Sequence, residues 1–116
     1  MTKKRAEKNI FSATIHKVID HIQESPSYVL ISVGFVLQKE NLNGSKYMQP
    51  TNKQFVVRKQ FDPDNPDIYL NITSCPFSVK QTIFYRKYST DHLGRRHYII
   101  QIKNGAFFLG YEPKKY

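Results

Sequence analysis

The side chains best suited to gripping a polyanion gather near the C-terminal end: Arg86, Lys87, Arg95, Arg96 and His97, interleaved with Phe84, Tyr85, Tyr88 and Tyr98. Cations neutralise phosphates, and phenylalanine or tyrosine rings offer flat faces on which unpaired bases stack. On a strand, Phe84, Arg86 and Tyr88 share one face, opposite Ile83, Tyr85 and Lys87. If the Ile83 face is core, rings and charge point outward together. Lys103 adds a cation in the turn that follows, and Ile99 and Phe108 are expected on the same outer surface, with Phe108 able to stack. A second basic cluster, Lys3, Lys4 and Arg5 with Lys8, has the composition of flexible arms that hold phosphate backbones. The plain alternative is that these charges serve solubility and that a second layer covers the aromatic face.

Asp91, His92, Arg95, Arg96 and His97 fall in one loop, where catalytic groups are often displayed. A metal-independent nuclease would use His92 or His97 as general base and Arg95 or Arg96 against the phosphorane charge. No spacing here is diagnostic, so a non-enzymatic protein with no catalytic residue is expected. His16, Asp20 and His21 cluster two ligands without a third, and Cys75 has no CxxC partner, so no metal site is expected. Phosphate-loop, dinucleotide, kinase and nucleophile-elbow patterns are absent, and no cofactor is expected.

The formal charge is +9, and it is unevenly placed. Residues 40–77 balance, whereas residues 78–116 carry eight basic and two acidic groups. A local excess of this sign fits an anionic partner and says nothing of fold. A single cysteine suits a reducing compartment, no apolar segment follows the basic N-terminus, and no long apolar run occurs. The expectation is an intracellular protein, cytoplasmic or nuclear, not secreted and not membrane-bound.

These side chains need a frame. Residues 1–8 read as a flexible basic arm and residues 9–116 as a single α+β domain. From about Ala6 to Gln23, Phe11, Ile15, Val18, Ile19 and Ile22 recur by fours and threes, the stripe of an amphipathic helix that Ser25-Pro26 ends. From Tyr28 to Lys39 the period becomes two, with Val29, Ile31, Val33, Phe35 and Leu37 on one face of a central strand. Gly34 marks a bulge or a close backbone approach. Glu40 to Asn52, with Asn43-Gly44 and Pro50, reads as a long loop. Lys53 to Phe61 is a strand, Asp62 to Asp67 an acidic turn, and Ile68, Leu70 and Ile72 alternate with outward Tyr69, Asn71 and Thr73. Val79 to Tyr88 opens the basic region. Asn104-Gly105 predicts a type I′ hairpin in which Lys103 pairs with Ala106, Ile100 faces Leu109 and Tyr98 faces Tyr111.

The predicted architecture is therefore α+β: an N-terminal amphipathic helix packed on a curved, mainly antiparallel sheet or partial barrel of about six strands. An OB-like or SH3-like closed barrel is the alternative. The expected function is that of a small basic protein binding RNA or single-stranded DNA. A protein-interaction module is the competing class, an accessory or inhibitory factor for an acidic protein, docking by strand addition near Tyr111 or through the Glu40–Asn52 loop. A homodimer through the outer aromatic face is a third reading.

Overall fold

The computed structural model describes residues 10–113. The arm expected over residues 1–8, with Lys3, Lys4 and Arg5, lies outside the described residues. Seven strands follow one another: β1 (Phe11–His21), β2 (Tyr28–Glu40), β3 (Lys46–Asp62), β4 (Asn65–Asn71), β5 (Thr82–Thr90), β6 (Arg96–Ile102) and β7 (Phe107–Tyr111). Six of them close an antiparallel barrel in the cyclic order β1–β2–β3–β7–β6–β5, with β5 returning to β1. Two three-stranded meanders, β1–β2–β3 and β5–β6–β7, are thus joined edge to edge. The remaining strand, β4, lies outside the ring against the end of β3. Inward side chains fill the interior, among them Ile15, Ile31, Val33, Phe55, Val57, Ile83, Ile100 and Phe108, all essentially inaccessible. Phe77, from the β4–β5 connection, packs its ring 5.0 Å from that of Phe108.

The N-terminal helix is not present: Phe11–His21 is a strand, and the described residues form an all-β barrel. The physical reason lies in a bulge. Ala13 and Ile15 point inward at a period of two, against Ile83 of β5 and Val33 of β2, and Phe11 precedes them on the same face at the exposed end, stacked on Tyr85. The ladder then slips between Ile15 and Lys17, so the next inward residue is Val18, facing Ile31. One extra residue turns a two-residue period into a spacing of three, which imitates a helical stripe. Five β-branched residues between Thr14 and Ile22 favour the strand. The close approach at Gly34 is real, but it comes from β1: a Cβ there would lie 2.2 Å from the His16 ring.

The expected Glu40–Asn52 loop is also mostly strand. β2 pairs with β1 only as far as Gly34, and β3 meets β7 only from Val56 onward. Beyond Phe35 and Thr51 the two strands continue alone, paired from Phe35↔Thr51 to Glu40↔Lys46. This two-stranded ribbon projects about 20 Å at ~3.4 Å per residue. Its turn closes through Asn41 N to Ser45 O at 2.8 Å and Gly44 N to Asn41 O at 3.0 Å, with Gly44 at φ +88°.

Two smaller differences matter for the surface. Ile68 and Leu70 are exposed because β4 pairs only with β3 and covers no core; Ile72 alone of that alternation is buried. The β6–β7 hairpin closes on Ile102 and Ala106, with Lys103, Asn104 and Gly105 between them, and only Asn104 of the Asn-Gly pair has positive φ. The three-residue loop slides the register by one: Ile100 faces Phe108, Ile99 faces Leu109 and His97 faces Tyr111. Such a slip exchanges the two faces, so Phe108 enters the core instead of the outer surface. Among the described residues no helix is long and apolar enough to cross a membrane.

Candidate functional site

Three bulges punctuate the barrel, at His16 in β1, Arg58 in β3 and Tyr88 in β5. A bulge inserts a residue without a cross-strand partner and re-aims its side chain. Arg58 and Tyr88 both turn into one groove of about 330 Å³ on the outside of the barrel, between the β5–β6 turn and the β3–β4 edge. Arg95, His97 and Tyr111 line its floor, and Lys59 and Tyr69 its far wall. The cations lie on rings: the Arg95 guanidinium is 4.4 Å from the Tyr111 ring centre, and Lys59 Nζ is 5.3 Å from that of Tyr69. The His97 ring sits 5.5 Å from Tyr111 and 6.3 Å from Tyr88.

One carboxylate organises this cluster. Asp91 Oδ1 accepts from Leu93 N at 2.9 Å and Arg95 N at 3.0 Å, while Oδ2 accepts from Arg95 Nε at 2.9 Å and His97 Nε2 at 2.8 Å. Gly94, at φ +83°, lets the turn fold back tightly enough for these bonds. The hydrogen bond from His97, joined by those from Arg95 and Leu93, outweighs desolvation and holds the Asp91 carboxyl far below the usual carboxylate range. Asp91 thus fixes two side chains of the groove and has its own charge met by Arg95.

The groove is one end of a wider outer face, which the cross-strand register defines in three rows. Phe84, Gln101, Phe107, Phe61 and Tyr69 form the first. Arg86, Ile99, Leu109, Lys59 and Asn71 form the second. His97, Tyr111, Val56 and Leu30 form the third. No acidic residue falls in any row. Rings, aliphatic groups and cations share this surface, and Arg58, Lys59 and Arg86 have no ion pair among the described residues.

The structure sorts the residues singled out from sequence. Tyr88, Arg95 and His97 come together in the groove, and Phe84 and Arg86 stand outward in the adjoining rows because Ile83 and Tyr85 occupy the core. Lys87 belongs to the opposite register, paired with Tyr98. Arg96 turns away to Glu112, Nε to Oε1 at 3.0 Å. Lys103 stands in the hairpin turn at the other end of β6. His92 is exposed on the turn and joins nothing in the groove. Sequence reasoning missed Arg58, Lys59, Tyr69 and Tyr111. The signal for the first pair was present: Arg58-Lys59 breaks the alternation of Phe55 and Val57, as a bulge does.

Across the barrel mouth, Glu112 gathers Arg96, Lys53 Nζ at 3.2 Å and the Tyr98 hydroxyl, which donates to it. Burial, and then the Glu112 charge, push the Tyr85 hydroxyl up to about 12; burial and the Glu112 hydrogen bond raise Tyr98 further. Both phenols stay protonated in neutral solution, and the cluster works as a clamp holding the end of β7 to β3 and β6. Comparison of the chain with protein-family models, curated proteins and solved structures finds no match to any of them.

Proposed function

We propose that the protein binds single-stranded nucleic acid, RNA or DNA, on the outer face of β5–β6–β7–β3–β4. The observation that carries this reading is the three-row surface itself: stacking rings beside Lys59 and Arg86, which have no ion pair among the described residues, with no carboxylate in the rows and Asp91 reaching His97 at their edge. Phosphates would meet Arg58, Lys59 and Arg86, which have no ion pair among the described residues. Bases would stack on Tyr69 and Tyr88, residues that are 45% and 47% exposed. Arg95 and His97, locked by Asp91, would present fixed donors rather than free charge. The acid–base pair at the groove, Asp91 with His97, is engaged in holding Arg95 and His97 in place, and binding without catalysis is the reading we take from it.

The test is fluorescence anisotropy with a labelled oligonucleotide across a salt series. Each phosphate contact to a single strand contributes about 0.7 to the log–log salt slope, so Arg58→Ala/Lys59→Ala/Arg86→Ala is expected to flatten it by about 2. Tyr69→Ala/Tyr88→Ala is expected to lower affinity by about 1–3 kcal/mol per stacked base and leave the slope alone. No binding at low salt, or a slope indifferent to the triple substitution, removes the proposal. A second reading has one observation behind it: β4 presents an unpaired edge with Ile68 62% and Leu70 64% exposed, a template for strand addition by a protein. A stoichiometric protein complex that survives nuclease would favour it. β7, near Tyr111, offers no such edge, being paired on both sides.

A further inference from the structure

We propose that the β2–β3 ribbon is a second contact for the same single strand, and that it engages bases and sugars rather than phosphates. This rests on the nucleic-acid reading of the outer face and extends it. The face does not end at Val56. Register carries it along the ribbon: Val56 beside Leu30, Gln54 beside Ser32, Asn52 beside Gly34 and Met48 beside Gln38. At ~3.4 Å per residue this is a straight track of about 27 Å. Where the track leaves the barrel lies a depression of about 480 Å³, in which the bulged His16 stands beside Ser32, Asn52 and Gln54. The bulge that puts His16 there is the third of the set whose other two members line the groove.

The chemistry of the track differs from that of the groove. Lys46 is paired with Glu40 at 3.4 Å and Lys53 with Glu112 at 3.2 Å, which leaves Lys39, exposed on the other register opposite Tyr47, as the ribbon's remaining cation. Its exposed polar positions are amides: Gln38, Asn52 and Gln54 are exposed and their side chains make no hydrogen bond among the described residues. Asn41 and Asn43, by contrast, are consumed in the turn, bonded to Ser45. An amide offers both a donor and an acceptor, which suits a base edge and cannot neutralise a phosphate. Met48, 63% exposed, supplies an apolar surface beside them. The cation that the track itself carries along the ribbon, Lys46, is already paired with Glu40, and Lys39 stands off its register opposite Tyr47, so an acidic protein laid along the track would find little to pair with. Continuity with the cationic face and a neutral, amide-lined extension together point to one polymer: phosphates gripped at the groove, bases laid on the ribbon.

Oligothymidylates of about 6 and about 18 nucleotides fall near the short and long ends of the ~4–16-nucleotide sites that OB-fold barrels occupy. Anisotropy titrations compare wild type with Gln38→Ala/Asn52→Ala/Gln54→Ala, all at exposed positions. The variant is expected to bind the short oligonucleotide as wild type does, to lose about tenfold on the long one, and to keep its salt slope. Arg58→Ala/Lys59→Ala is expected to show the opposite signature, a flatter slope on both lengths. An equal loss on both lengths, no loss on the long one, or a slope that falls with the amides overturns the ribbon and leaves the outer face standing. Failure of wild type to bind either length at low salt overturns both.

Discussion

Asp91 shows how one side chain sets the geometry of a surface it does not dominate. Its carboxylate takes hydrogen bonds from Leu93, Arg95 and His97, and these favour the ionised form. A carboxyl depressed in the folded state adds stability at every pH above its unfolded value, about 3.9, and loses it as the pH falls below that. The urea midpoint of wild type should therefore exceed that of Asp91→Asn at neutral pH, and the two should converge below about pH 4. Parallel midpoints down to pH 2 would show that the bonds do not stabilise the fold. The same substitution frees Arg95 and His97 without removing them, so any change in oligonucleotide affinity reports their orientation.

At the scale of elements, what the chain declares is the pairing of neighbours, and what it conceals is register. Alternation in Tyr28–Lys39 and Lys53–Phe61, and the turn at Asn104-Gly105, are local features, and each is found as a strand or a turn. Bulges are not local. His16 and Arg58 occupy their positions because a partner strand closes around them, and the first of them made a strand read as a helix. The β3 half of the ribbon, residues 46–52, escaped for a related reason, since it is almost wholly exposed and so carries no alternation to read. Of the candidate site, the basic loop at 91–97 was legible from composition; its partners on β3, β4 and β7 come from closure of the ring. The β6–β7 register can be tested through its residues. Phe108→Ala should cost about 3–5 kcal/mol in urea unfolding, as for any large core truncation, and Phe84→Ala much less. Gly110 adds a second check, because a Cβ there would lie 2.7 Å from Ile100 Cδ1 and 3.2 Å from Val56 O. Gly110→Ala should cost about 1–3 kcal/mol through overpacking.

The described residues form a ring of six strands whose charge is arranged on the outside, with β4 and the ribbon projecting from it. Closure removes the edges of the six ring strands and leaves β4 as the open margin. The ring is not equally strong all round. β2 and β3 are zipped from Val29 to Glu40, whereas β1 meets β5 only over Phe11–Thr14, helped by Ile15 N to Gln81 O at 2.9 Å. That short ladder is a clasp. Released, it leaves every other pairing intact and turns the barrel into an open sheet with two raw margins, β1 and β5. Amide hydrogen exchange should find Ala13 and Ile83 opening by a sub-global route well before Ile31 and Phe55, which need global unfolding. The half-open species would be the one that sticks to itself, by pairing margins in trans, so the shelf life of the protein is set by its shortest seam and not by its core.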